Sequence, residues 1–221
     1  VKRIPESELM DDPEGALAYA SADFEEPHQR VIEIFCRCFK ERELRGRVLD
    51  LGCGPGDVTL RFAARFPESE ILAVDGAGEM IRLAKARQAH EPRACNIQFV
   101  RGIIPGAKIP DMEYEAIISS SFLHHLQRPY SLWETIKGHA VAGTIIFVID
   151  LFRPASKEEA QRLVDVYAHG EPDILKRDFY NSLLAAFRPE EVRTQLREAG
   201  LAELTVGPVS DRHMIIYGIK E

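Results

Sequence analysis

Residues 48–60 read VLDLGCGPGDVTL, an apolar run that ends in an acid and is followed by glycines at alternate positions. A residue without a Cβ lets the chain turn sharply and lets a ligand lie directly against the backbone. Gly52, Gly54 and Gly56 therefore mark a close approach. The run before them reads as a buried strand, and residues 57–66 read as a helix. A strand, a glycine turn and a helix in that order form a nucleotide site. A second apolar run, ILAVD, ends in Asp75, about twenty residues on, where an acid can hold two ribose hydroxyls. A dinucleotide fingerprint spaces its glycines G-x-G-x-x-G and points a helix N-terminus at a pyrophosphate. Here the spacing is G-x-G-x-G, and Asp50 stands before it. A carboxylate at that place repels a pyrophosphate and suits a ligand that carries an ammonium group. These two features disfavour a nicotinamide dehydrogenase, the rival at the level of fold.

Other residues have side chains suited to chemistry. SSSFLHHLQRP places His124 and His125 side by side after an apolar run. Adjacent residues point differently, so one can face a substrate while the other packs under the loop; both can equally be satisfied by backbone. IDLFRP puts Asp150 and Arg153 at the end of the most apolar run. Arg153 can bind a carboxylate or phosphate, or close a salt bridge. Asp178, Tyr180 and Asn181 gather before the apolar LLAAF, either as helix-capping groups or as contacts to an acceptor. Asp211, Arg212 and His213 lie in a turn that an ion pair would stabilise. Cys53 reads as a small residue that fits its loop. Cys36 and Cys38 face different sides of one helix, and no second pair supplies ligand spacing. All four cysteines are expected to be reduced, and no metal site is expected.

These groups must be positioned by an alternation of strands and helices. RVLDL, ILAVD, IQFV, EAIISSS and GTIIFVID are apolar runs separated by helical patterns at 57–66, 79–89 and 132–140. That alternation indicates a parallel sheet covered on both faces, an α/β fold. PHQRVIEIFCRCFKEREL has helical periodicity in Val31, Ile34, Phe35, Cys38 and Phe39. RPEEVRTQLREAG is a helix with proline inside its start and glycine past its end. LAELTVGPVS and HMIIYGIK follow as an antiparallel pair. Residues 152–187 are long for a connection and are read as a helical insert over the carboxyl ends of the strands, where open α/β sheets bind ligands. The expected organisation is one domain: an N-terminal helical segment at 1–44, a cofactor-binding core at 45–151, the insert or lid at 152–187, and a closing helix and strand pair at 188–221.

The motifs VLDLGCGPG, AVDGAGEMI, YEAIISSSFLHHL and GTIIFVIDLF resemble, in order, those of class I S-adenosylmethionine-dependent methyltransferases of the small-molecule type. The resemblance covers roughly residues 45–151. It implies a Rossmann-like sheet of seven strands, the last antiparallel. S-adenosylmethionine has an amino-acid end, a sulfonium and no phosphate, which suits Asp50. The resemblance also implies that Gly52, Gly54 and Gly56 run along the cofactor, that Asp75 holds the ribose, and that Ala77 and Met80 lie near the adenine. Two departures stand out. Ile103 replaces the aspartate that often takes the adenine amino group, so backbone at Gly102 and packing from Ile103 and Ile104 must serve. Ala77 replaces a frequent serine. Ser119 and Ser120 end the fourth strand beside the cofactor. Tyr19 is the candidate aromatic for the sulfonium, by cation–π attraction, with ordinary packing as its other role. His124, His125 and Arg153 are the candidates near the reacting methyl.

Alignment of the reactants supplies most of the rate in methyl transfer, and a base is needed only where the nucleophile must lose a proton. The loop after the fourth strand has neither the N/D-P-P-Y/F pattern of base and glutamine nitrogen methylation nor a proline-cysteine pair. The formal net charge of −7 disfavours a nucleic-acid partner, because neutralising phosphates takes surplus lysine and arginine. No run is long enough to span a membrane, VKRIPESELMDD has no signal-peptide core, and a cytoplasmic protein is expected. The leading expectation is methylation of a small-molecule acceptor. The alternatives are a protein or RNA methyltransferase, with an exposed basic groove, and a non-catalytic cofactor-binding subunit, with a blocked methyl channel.

Overall fold

The computed structural model describes residues 1–7, 9–22, 25–40, 42–91 and 96–221. Seven strands form one sheet: β1 (Arg47–Leu51), β2 (Glu70–Asp75), β3 (Ile97–Arg101), β4 (Ala116–Ser120), β5 (Ile145–Leu151), β6 (Thr205–Pro208) and β7 (His213–Ile219). Their order is β3-β2-β1-β4-β5-β7-β6. The first five pair in parallel. β7 runs antiparallel to both β5 and β6; the short link from β6 to β7 allows that pairing.

The apolar runs are explained by burial on both faces of the sheet. Successive side chains of a strand point to opposite faces. Along β5, Ile145, Phe147 and Ile149 enter one core and Ile146 and Val148 the other. On the first face, α2 (Glu25–Cys38) and α3 (Asp57–Arg65) bring Phe35 and Phe62 together with ring centroids 4.8 Å apart, and Phe147 of the sheet meets Phe35 edge-on at 5.4 Å. On the second face lie α5 (Tyr130–His139) and α8 (Pro189–Ala199). There the buried Trp133 donates from Nε1 to Gln195 Oε1 at 2.9 Å. α4 (Gly78–Gln88) follows β2.

The N-terminal segment is helical only in part. α1 (Pro13–Ser21) is capped by Asp12, which accepts from the Gly15 amide, with proline in its first turn. The described residues before it form a strap outside helix and strand, and Ile4 N donates to Leu184 O at 3.0 Å. The insert is two helices, α6 (Lys157–Tyr167) and α7 (Asp173–Ala185). They pack on each other through Ala160, Leu163, Val164, Leu183 and Leu184. α7 also touches α1 and the 3-10 turn Leu123–His125. Asp178 and Asn181 lie inside α7 and cap nothing. Arg212 stacks over Tyr167 at 3.3 Å, and the Tyr167 hydroxyl donates to Asp211, which ties the last turn to α6. Cys36, Cys38 and Cys53 form no disulfide among the described residues; Cys95 lies outside the described residues. No helix among those residues is long and apolar enough to cross a membrane.

Phe35 is fully buried and touches four other aromatic rings. Phe35→Ala should lower unfolding stability by about 3–5 kcal/mol, the usual cost of truncating a core phenylalanine. A urea midpoint that falls with an unchanged m-value checks it.

Candidate functional site

The strand order reverses between β1 and β4, and a cleft opens beyond their carboxyl ends. Its floor comes from Asp50, Gly52, Cys53, Gly54 and Pro55 after β1, from Asp75, Gly76, Ala77 and Met80 after β2, and from Ser120, Ser121 and Phe122 after β4. Leu9, Met10 and Tyr19 of the N-terminal segment and His28 of α2 complete the wall, with Asp57, Val58 and His125. Three carboxylates line this cleft, and no lysine or arginine does among the described residues.

Asp75 accepts from the Gly54 amide at 2.9 Å and the Ala77 amide at 2.8 Å, one on each carboxylate oxygen. It thus clamps the loop after β1 to the turn after β2, and each oxygen keeps a free lone pair. Burial pushes its pKa up, against the pull of those two amides. Asp50 is 2% exposed and accepts from Thr59 Oγ1 at 2.6 Å. Burial raises it to about 7, the Thr59 bond opposes the rise, and Asp75 adds to it. A cation beside Asp50 would relieve that cost. Asp57 is different. Its burial is outweighed by bonds from His28, at 2.5 Å, and Arg61, at 3.0 Å, which bring it down to about 2. Asp57 and Phe122 lie within the quoted motifs but were not singled out there, and His28, Leu9 and Met10 had no motif to reveal them; the fold brings all five to the cleft.

The three loop glycines have separate reasons. A Cβ on Gly54, at φ 53°, would project into open space, so a side chain there would occupy room a ligand can use. One on Gly52 would lie 2.1 Å from Phe122 Cγ. Gly56 does not line the cleft. Its missing Cβ leaves room for Phe99 and Ala84 under the loop, at 2.8 and 3.1 Å, which is a packing role.

Several expected cofactor residues sit elsewhere. Ser119 is buried within the sheet, and its hydroxyl donates to Leu51 O at 2.7 Å. Gly102 donates its amide to Asp75 O and packs against Ala107. Ile104 is core. Ile103 is 59% exposed and flanks Gly76, whose added Cβ would meet it at 3.2 Å, so it borders the cleft without lining it. Tyr19 does line the cleft, and its burial raises the phenol to about 12.

The two histidines divide as adjacent residues must. His124 is 3% exposed; its Nδ1 lies 2.5 Å from Asp150 Oδ1, and its backbone amide reaches Asp150 Oδ2 at 3.3 Å. Burial alone would lower His124, but the charge and hydrogen bond of Asp150 outweigh it and push the histidine up, while the same contact holds Asp150 down. His125 turns to the cleft. Burial, reinforced by the His124 charge, brings it down to about 3, so it is neutral. Glu6 of the strap approaches both rings: its Oε1 is 3.6 Å from His124 Nε2 and 3.2 Å from His125 Nδ1.

Arg153 corrects the sequence expectation. It is 5% exposed, and its guanidinium donates to Val1 O, Ala186 O and Glu191 Oε1 at 3.1, 2.7 and 2.6 Å. Those bonds pin the strap and the end of α7 to α8, and the side chain does not reach the cleft. Tyr180 and Asn181 do not line it either; Tyr180 faces a separate groove between α6 and α7.

Comparison with known proteins places this geometry. A methyltransferase-domain profile matches residues 48–139. An uncharacterized methyltransferase of Mycobacterium bovis is 27% identical over 150 residues, 68% of this chain and 73% of its own. The trans-aconitate 2-methyltransferase of Mycobacterium ulcerans is 34% identical over 96 residues, 42% of this chain and 33% of its own. Among solved structures, the plantazolicin methyltransferase BpumL in complex with S-adenosylhomocysteine superposes with a TM-score of 0.71 at 13% identity, covering 95% of this chain and 91% of its own.

Arg153→Ala should leave the Val1 and Ala186 carbonyls and Glu191 Oε1 without their Arg153 donor, at a cost of about 2–4 kcal/mol in stability. Binding in the cleft should change little once the variant is folded. Thermal melting compared with ligand titration at low temperature separates the two effects.

Proposed function

Since the chain belongs to the class I S-adenosylmethionine-dependent methyltransferase family, we propose that it methylates a small organic acceptor held in the same cleft as the cofactor. The observation that carries this reading is the make-up of the cleft: three carboxylates, no lysine or arginine among the described residues, and walls supplied by Leu9, Met10 and Tyr19. Such a site favours a cation-bearing ligand over a phosphate-bearing polymer. The names of the relatives support the acceptor class, since trans-aconitate is a small molecule. The strap and α1, which bring Leu9, Met10 and Tyr19, cover the strand ends, while no described residue of the insert lines the cleft.

The residues present suit the cofactor. Asp75 keeps a lone pair on each oxygen for the ribose hydroxyls. Asp50, buried and held by one hydroxyl, is placed for the ammonium group. The open space above Gly54 admits the amino-acid end against bare backbone. Ala77 and Met80 supply apolar surface for the adenine, and Tyr19 an aromatic ring for the sulfonium. When bound, the cofactor supplies a methyl group activated by positive sulfur. His125, neutral and facing the cleft, can accept a proton from an acceptor, and alignment does the rest.

Radiolabelled methyl transfer into fractions of a bacterial extract tests the acceptor class. Label is expected in the small-molecule fraction. Label confined to precipitated protein or RNA would overturn the reading.

Asp75→Ala should weaken S-adenosylhomocysteine binding by about 1–3 kcal/mol, the scale of hydrogen bonds to a charged group; calorimetric titration measures it.

The Asp50 shift sets a pH dependence. Its folded pKa of about 7 lies above the ordinary carboxylate value, so this group favours the free fold at low pH and loses that contribution as pH rises towards 7 and beyond. Cofactor binding runs the other way, because the ammonium group needs the ionised form. Affinity should therefore fall by about tenfold for each pH unit below 7. Asp50→Asn should bind weakly with no such slope, which titrations at several pH values would reveal.

A further inference from the structure

We propose that Glu6, His124 and His125 bind a divalent first-row transition cation, with Zn²⁺ as its natural representative, in the wall of the cleft. One ligand-type atom from each residue lies within 4.8 Å of the other two. Two imidazoles and one carboxylate form a donor set that holds zinc and leaves an open position.

The spacing fits a cation better than a hydrogen-bonded cluster. Four ligands at about 2.0–2.1 Å around zinc stand about 3.3–3.4 Å from one another. Glu6 Oε1 is 3.2 Å from His125 Nδ1 and 3.6 Å from His124 Nε2. Neither contact is an aligned hydrogen bond, and His125 Nδ1 is a buried nitrogen with no hydrogen-bond partner. The two rings lie close, with centroids 4.1 Å apart and planes at 35°, so both nitrogens can turn towards one point beside Glu6.

The surroundings are those of a supported ligand set. His124 Nδ1 is taken by the buried Asp150 at 2.5 Å, which leaves Nε2 as the nitrogen available to a cation. Metal-binding imidazoles are regularly oriented in this way by a carboxylate on the other nitrogen. Ser182 of α7 donates to Glu6 Oε1 at 3.0 Å. Arg3 fastens the strap and the turn together, donating to His124 O and Leu126 O at 3.0 and 2.9 Å. Glu6 is thus carried to the histidines by a segment that the Arg3 side chain fastens to their turn. His125 also lines the cleft, so the open position of the ion borders it and can take a heteroatom of the acceptor. That use rests on the small-acceptor reading above; the ion site itself does not.

The test is titration of chelator-stripped full chain with Zn²⁺ by calorimetry, and with Co²⁺ by visible absorption. One Zn²⁺ per chain and the intense bands of four- or five-coordinate Co²⁺ are expected. His125→Ala and Glu6→Ala, each confirmed folded by circular dichroism, should lose at least about 100-fold in affinity, beyond the 10–100-fold typical of outer-shell changes. Substitution of the exposed His169 should leave binding as it was. Absence of stoichiometric binding, equal binding by the folded ligand variants, or only the weak bands of six-coordinate Co²⁺ would each overturn the proposal. S-adenosylhomocysteine titrated into the same stripped protein reports on the cofactor reading alone, so the two can fail separately.

Discussion

The constraint on which the rest depends is a parallel sheet buried on both faces. In β5 all seven side chains are buried, and those from Ile145 to Ile149 alternate between two apolar cores. Polar groups in such strands can find partners or solvent only near the strand ends. Asp50 and Asp75 lie at the carboxyl ends of β1 and β2, and Asp150 lies near that of β5. Each carboxylate is taken up by a particular donor: a hydroxyl from Thr59, amides from Gly54 and Ala77, and the Nδ1 side of the His124 imidazole. The cleft exists because the strand order reverses between β1 and β4, so the connections on either side diverge.

The second organising feature is the N-terminal strap. Arg3 donates to three backbone carbonyls, of His124, Leu126 and Ala185, and its guanidinium lies 3.9 Å from the centre of the Phe187 ring. Arg153 fastens the same region from the other side through Val1 O and Ala186 O. Two arginines that could have served a substrate are thereby used to join the strap, the insert and the turn after β4. The result is a wall in which Glu6 meets the two histidines, while Leu9, Met10 and Tyr19 pass on to the cleft.

The electrostatic contrast among the acids follows from their partners. Asp57 has His28 and Arg61 and is brought down to about 2, whereas Asp50 has one hydroxyl and is raised to about 7. A protein that only needed a stable fold would gain by pairing Asp50 as well. Asp50 has no basic partner among the groups that shift it, which suits the proposed role of meeting a ligand's cation.

Much of the scaffold was legible in the chain. The RVLDL run coincides with β1, Asp75 closes β2, and α8 follows its proline and glycine signals, because strand burial and helix ends are set by short-range patterns. The same patterns mark Gly54 and Asp50, whose chemistry depends on a local loop. They could not show that Gly56 serves Phe99 rather than the cleft, that Ser119 bonds back into the sheet, or that Arg153 is spent on three acceptors, since each outcome depends on a neighbour distant in sequence. Nor could they join Glu6 to His124, more than a hundred residues along the chain. The sequence by itself determined the alternating elements and the nucleotide loop, because those rest on periodicity and on the absence of a side chain at fixed positions. Only the tertiary structure decided which polar groups face the cleft and which are consumed in holding it, because a buried donor or acceptor goes to whichever partner the packing brings within reach.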